Sequence, residues 1–253
     1  MPRELRSRIH SPYTPDLDLP PAFRLVTLRE AGDAFGHAQS IAAKEGAGTL
    51  IWVRRFDVVE FALVLEPEEP LASARRAFYA GMCALYDALA VHAPPEKLIQ
   101  FSWPDAILVD GGLAAGAQFA WPKGADEKAA APWLVFGAMV RTAIMGAAEP
   151  GSRPGSAALE EEGFDELGSG QIIESFARHF LSWVDSWQQE GFAPIGQHYL
   201  ERLSADEPVE RSIDGVGDLL TRSKGKLDTT KEKLIPALAK LSWYDSESRG
   251  LKL

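Results

Sequence analysis

The stretch SWPDAILVDGGLAAGAQFAW, residues 102–121, decides how this chain is read. Asp110-Gly111-Gly112 separates two apolar runs, and aspartate followed by glycine tolerates the positive φ that a primed two-residue turn requires. The stretch is therefore a β-hairpin. It has the build of an active-site wall, yet nothing between Asp110 and Trp121 can ionise.

Outward from this hairpin the pattern alternates strands and helices. AFRLVTLR (22–29) alternates enough for a strand, and DAFGHAQSIAAKEG (33–46) reads as a helix capped by Asp33 and stopped at Gly46. TLIWVRR and VVEFALVLE are β-rich runs joined by a short turn near Phe56-Asp57, a second hairpin. From Leu71 to His92 the residues Phe78, Met82, Leu85 and Leu89 form one apolar helical stripe, ended by Pro94-Pro95. PWLVFGAMVRTAI supplies another strand, followed by the glycine- and proline-rich MGAAEPGSRPGSA and the acidic LEEEGFDELG. Ile172, Ile173, Phe176, Phe180, Val184 and Trp187 then recur at helical spacing between Gly170 and Gln189. After Leu203 the texture changes: ERSIDGVGDLLTR reads as a small hairpin, and KEKLIPALAKLSWYD as a short helix broken by Pro236.

Composition bounds the class. At 253 residues the chain can bury one large α/β domain with a small appendix. A net charge of −10, from 36 acidic and 26 basic residues, argues against a phosphate backbone as partner. Arg75-Arg76 and TRSKGKLDTTKEKL are local basic patches beside acidic residues and read as solvated faces. Apolar runs are broken by charge well before the roughly 18 residues of a membrane span, and MPRELRSRIH is followed by no apolar stretch, so a cytoplasmic protein without a membrane segment is expected. One cysteine, Cys83, excludes internal disulfides. It sits mid-helix, off the apolar stripe and without a histidine nearby in sequence, so it reads as structural. The five histidines have no metal-binding spacing and no phosphate loop is present, so no cofactor is expected.

In order, these elements resemble the catalytic core of the biotin/lipoate protein ligase family. SWPDAILVDGGLAAG sits where biotin ligases carry Lys-Trp-Pro-Asn-Asp, a strand, a turn and Lys-Leu-Ala-Gly. VVEFALVLEPEEPL matches the strand and proline-containing exit before the first long core helix. WLVFGAMVRT matches the strand reading Gly-Ile-Asn-Val-Asn, and SWQQEGFAPIGQHYLERL matches the closing helix. The resemblance covers about residues 23–203 and implies an α/β (α+β) fold, a mixed sheet with packed helices. It leaves 1–22 as an extended arm and 204–253 as a small C-terminal domain.

The family's chemistry is acyl adenylation by ATP followed by transfer to a carrier lysine. It uses a lysine in the hairpin and a Gly-Arg-Gly-Arg loop as donors to developing charge. Aligned from Trp103, the lysine position holds Leu113, the Asn-Asp pair becomes Asp105-Ala106, and the two strand asparagines become Met139 and Arg141. Only Arg54-Arg55-Phe56-Asp57 separates the strands where the loop would lie. Each lost donor is worth on the order of 10²–10³ in rate. The residues that the resemblance places at the ligand site are Arg54, Arg55, Trp103, Asp105, Gly111, Gly112, Leu113, Gly116, Met139 and Arg141. Arg54 or Arg55 serves either to hold an anionic group or simply as a charged turn; Asp105 is a polar anchor or a cap; Asp110 is a turn residue. No catalytic residue is assigned.

Two readings stand. The first is a binding module using the former acyl pocket for a small apolar or carboxylate-bearing ligand, or for a protein partner. The second is an active acyl, biotinyl or lipoyl ligase or transferase with donors such as Arg54, Arg55 or Arg141. Whether the chain is an enzyme stays open at this level, as does its oligomeric state.

Overall fold

A computed structural model describes residues 17–144, 155–164, 167–204, 209–223 and 228–253. The first sixteen residues of the expected arm and most of the glycine- and proline-rich loop lie outside the described residues. The frame is a seven-stranded mixed sheet. Its strands are β1 (Arg24–Leu28), β2 (Thr49–Arg54), β3 (Val58–Leu65), β4 (Ile99–Ser102), β5 (Ala106–Val109), β6 (Gly112–Ala120) and β7 (Leu134–Arg141), in the order β1-β2-β3-β7-β6-β5-β4. Only β1 and β2 run parallel, joined by the crossover helix α1 (Ala34–Glu45); the other neighbours are antiparallel.

Both expected hairpins are present. β2 and β3 pair across Arg55-Phe56-Asp57, and β5 and β6 pair across Asp110-Gly111, where φ is +48° and +84°. A bulge at Ile107/Leu108 shifts the register so that Ile107 faces Ala115 and Leu108 faces Leu113.

Side-chain alternation sorts the two faces of the sheet. Val59, Phe61 and Leu63 of β3 face a helical layer made of α3 (Ala77–Ala90), α4 (Ser169–Glu190) and α5 (Ala193–Glu201), which holds the main core. Val58, Glu60, Ala62 and Val64 take the opposite parity, where α1 packs Ala34, Ala38 and Ala42 on Ile51, Val53, Ala62, Val64 and Val135. Asp33 caps α1 by accepting from Gly36 N–H at 2.8 Å, and Gly46 ends it at φ +77°.

The helix expected from Leu71 to His92 is divided into α2 (Leu71–Ala74) and α3, with Arg75-Arg76 at the break. These arginines are not a solvated face. Arg75 is 3% exposed, lies over the Trp121 ring and pairs with Glu127, while Arg76 pairs with Glu69 and covers the Phe192 ring. A guanidinium buries well when stacked and ion-paired, which charge counting along the chain does not register.

Beyond residue 208 the expected hairpin is β8 (Val209–Ile213) with β9 (Leu219–Ser223), extended by β10 (Thr229–Glu232) into a three-stranded antiparallel sheet. Helix α6 (Leu234–Leu238) runs through Pro236 rather than breaking there. That proline occupies the first turn, where a backbone N–H has no intrahelical acceptor to lose. Leu219, Leu234 and Leu238 join the main core, and Tyr79 donates its hydroxyl to the Gly217 carbonyl at 2.7 Å. The chain closes with a two-strand ribbon, β11 (Tyr244–Asp245) and β12 (Gly250–Leu251), laid on the α1-bearing face of the sheet beside β6 and β7.

Candidate functional site

On that face α1 covers one end of the sheet and the C-terminal ribbon covers another. Trp243, wholly buried, lies against Gly116 so closely that any side chain there would enter its ring, and its indole N–H donates to the Ala117 carbonyl at 2.9 Å. Val58, Ala106 and Met139 complete this small apolar cluster with Leu251, and Leu113 packs at its edge. Polar ties fasten the same segment. Buried Asp105 accepts from Ser242 N–H (3.2 Å) and Ser242 hydroxyl (2.6 Å), and Arg141 donates to the Lys252 carbonyl at 2.6 Å. Burial holds the Asp105 carboxyl above its usual range despite the Ser242 bonds.

Between α1 and the ribbon a cleft of about 840 Å³ remains. Glu60, Gln118 and Met139 line it from three adjacent strands. Glu30 to Asp33 and Phe35 form the wall at the start of α1, Arg55-Phe56-Asp57 the hairpin wall, and Tyr244, Ser248 and Arg249 the ribbon wall. This size suits a small ligand, and the mixture of apolar and polar groups is typical of such sites.

Three groups suited to hold an anion are already occupied, while Arg249 on the ribbon wall also lines the cleft. The first N–H groups of a helix attract negative charge, but Ala34 N–H donates to Glu60 Oε1 at 2.8 Å and Gly36 N–H to Asp33. Arg55 faces Asp57 through Nε (3.4 Å) and Nη2 (3.3 Å), lies 3.6 Å from Glu60 Oε2, and donates to the Arg249 carbonyl at 3.3 Å. Burial raises the Glu60 carboxyl; the Ala34 N–H and the Arg55 charge oppose this without cancelling it.

Of the ten residues singled out by resemblance, Arg55 and Met139 line this cleft. Leu113, Gly116, Asp105 and Arg141 meet the C-terminal segment instead. Gly111 forms the turn, and Gly112 is covered by Ser156 and Ala157. Arg54 is exposed at the end of β2. Trp103 faces the helical layer, donating to the Tyr79 hydroxyl at 3.1 Å. Sequence reasoning did not place Asp33, Glu60, Gln118, Tyr244, Ser248 or Arg249 at the site. Glu60 carried a signal, as the only ionisable residue inside VVEFALVL. Cys83 is buried with its thiol pushed up by burial, and among the described residues no group of three or more His, Cys, Asp or Glu could hold a metal.

Sheet order, helical layers and cleft together define the catalytic-domain fold of biotin protein ligases. The profile of the Biotin/lipoate A/B protein ligase family matches residues 19–201, and the chain belongs to that family. It is 30% identical over 182 residues to a biotin–[acetyl-CoA-carboxylase] ligase of Paracoccus denitrificans, covering 71% of this chain and 75% of that protein. A biotin protein ligase-like protein of unknown function from Silicibacter sp. TM1040 superposes with a TM-score of 0.74 at 24% identity, covering 87% of this chain and 98% of that one. Biotin protein ligase from Aquifex aeolicus in complex with biotin and ATP superposes with a TM-score of 0.61 at 12% identity, covering 83% and 95%. No described helix is long and apolar enough to cross a membrane.

Proposed function

We propose that this chain is a cytoplasmic ligase-family protein that binds a small ligand with an apolar part, or a partner's inserted side chain, in the cleft without forming an acyl-adenylate. One observation carries the reading: the Ala34 and Gly36 N–H groups of α1 and the Arg55 guanidinium are met by the protein's own Glu60, Asp33 and Asp57. A triphosphate and a developing acyl phosphate need donors that are preorganised and available, and in a low-dielectric site their loss is felt strongly. The hairpin position that resemblance assigns to lysine is Leu113, which packs at the edge of the Trp243 cluster. In this proposal residues 204–253 form a C-terminal unit whose last ribbon completes the cleft.

The second reading, an active biotinyl, lipoyl or acyl ligase or transferase, draws on the 30% identity to the Paracoccus ligase. Of its candidate donors, Arg141 is 3% exposed and donates to the carbonyls of Leu113 and Lys252, so it reaches no open volume without rearrangement. Exchange of pyrophosphate into ATP separates the two readings. The expected result is no exchange with biotin, lipoate or octanoate, in wild type and in Leu113→Lys alike. Acid-dependent exchange by wild type would establish the ligase reading. Exchange gained by Leu113→Lys alone would show that the occupied donors are not what prevents the reaction.

A further inference from the structure

We propose that the open edge of β8 is a docking site for an extended peptide, which adds to the sheet as a further strand and carries a carboxylate opposite Arg211. Because β8 ends the sheet β10-β9-β8, one of its sides has no strand neighbour. The hairpin fixes which groups face that side. Asp214 N–H donates to the Asp218 carbonyl at 3.0 Å, and bonded pairs alternate along an antiparallel ladder, so Ser212 and Glu210 bond to Leu220 and Arg222. The N–H and C=O groups of Val209, Arg211 and Ile213 therefore point away from β9, and none of them has a backbone partner there among the described residues.

This edge opens onto a groove of about 580 Å³ between β8 and α5 that shares no lining residue with the cleft, so the proposal stands or falls apart from the ligand reading. Val209 and Ile213 supply apolar surface on the strand side and Phe192 and Leu200 on the other, with Gly196 leaving room for a chain. Ser212, whose side chain has the opposite parity, also lines the groove, which therefore reaches round the strand edge. The other end strand differs: β10 reads Thr229-Thr230-Lys231-Glu232, exposed throughout and charged, in the manner of edges protected against pairing.

Arg211 identifies the occupant. Among the described residues its guanidinium donates to the Leu203 carbonyl (3.1 Å) and has no ion partner, and its Nε is buried without an acceptor. Glu201, the one acid lining the groove, is already met by Gln197 and Arg202. A residue directly opposite Arg211 on an added strand projects to the same face, where a carboxylate supplies the missing countercharge. A second copy does not supply it: two-fold pairing of β8 with itself in full overlap puts Arg211 opposite Arg211. The preferred segment is an extended one with an acid at its centre and apolar residues two positions to either side, facing Val209 and Ile213.

The test uses three labelled peptides and the full-length protein, read by fluorescence anisotropy: acetyl-Ser-Val-Thr-Glu-Thr-Val-Ser-amide, the same peptide with lysine at the centre, and the glutamate peptide N-methylated at its central residue. The glutamate peptide is expected to bind at least about fivefold tighter than the lysine peptide, the worth of one cross-strand charge pair. N-methylation removes an edge hydrogen bond while keeping the charge, and is expected to weaken binding by a similar factor. Arg211→Gln should bring the glutamate-to-lysine ratio to about one, and Arg211→Glu should reverse it. Should either variant fold poorly, the N-methyl comparison on the wild-type protein still decides. No binding of the glutamate peptide up to about 1 mM, indifference to N-methylation, or an unchanged ratio in a folded Arg211 variant overturns the proposal. A dimer in sedimentation velocity that the peptide dissociates would assign the edge to a second copy and overturn the choice of occupant.

Discussion

Trp243 and Gly116 make the attachment of the C-terminal segment measurable. Trp243→Ala removes a fully buried indole and its bond to the Ala117 carbonyl, a change expected to cost about 3–5 kcal/mol of stability. Gly116→Ala places a methyl group inside the volume of that ring, so ring or strand must move, at about 1–3 kcal/mol. With the indole gone the added methyl has room, and replacing glycine within a strand returns roughly 0.5–1 kcal/mol of backbone entropy. The double variant should therefore be no less stable than Trp243→Ala alone. Relative to the sum of the single changes, the coupling is expected to be roughly 1.5–4 kcal/mol, well outside the ~0.5 kcal/mol within which independent sites add. The assay is equilibrium urea unfolding followed by far-ultraviolet circular dichroism, because tryptophan fluorescence would itself be altered. Additive losses would mean that the ribbon does not lie on the hairpin, and the description of the cleft wall would fall with it.

Two further outcomes follow from buried titratable groups. Burial raises the Asp105 carboxyl, so the folded state holds its proton more tightly than the unfolded chain does. Its contribution is greatest below the ordinary value of 3.8 and is lost as pH rises through the raised value. Asp105→Asn should accordingly flatten part of the decline in unfolding free energy on that rise, and an unchanged profile would show that Asp105 is not buried beneath Ser242. Cys83, wholly buried with its thiol pushed up, should resist a disulfide reagent in the native protein and react on unfolding; rapid stoichiometric labelling of folded protein would contradict its place in the α3–α5 interface.

The fold was legible where local chemistry and periodicity agree. Asp33 as cap and Gly46 as stop bracket α1, Asp110-Gly111 sets the β5–β6 turn, and the Ile172–Trp187 spacing marks α4. The resemblance then put these elements in the right order. Arg75 and Arg76 were misread as solvated because the groups that cover them, Glu127 and Trp121 for one and the Phe192 ring for the other, lie far along the chain; only Glu69, the ion partner of Arg76, is near in sequence. Pro236 was read as a breaker because its effect depends on where the first turn begins, and the sequence leaves that start undetermined by two or three residues.

The candidate site was less legible for a more general reason. A spacing argument places Arg55 at the end of a strand and makes it look available, but availability depends on what the residue already touches. Here that includes Asp57 two residues on, Glu60 five residues on and a backbone carbonyl 194 residues away. Glu60 could have been found, since an acid with inward parity in an otherwise apolar strand must meet a partner or a ligand, and it meets Ala34 N–H while facing the cleft. The tail could not. LSWYDSESRG has no periodicity that assigns it to a groove, and the groove exists only because Gly116 lacks a side chain on the strand opposite. Family motifs locate the position where a donor would stand. Whether that position is open, filled by the chain itself or neutralised by it is a property of long-range packing, and in this protein most of the cleft lining comes from residues that the motifs did not single out, Glu30 to Asp33, Glu60 and the C-terminal Tyr244, Ser248 and Arg249 among them.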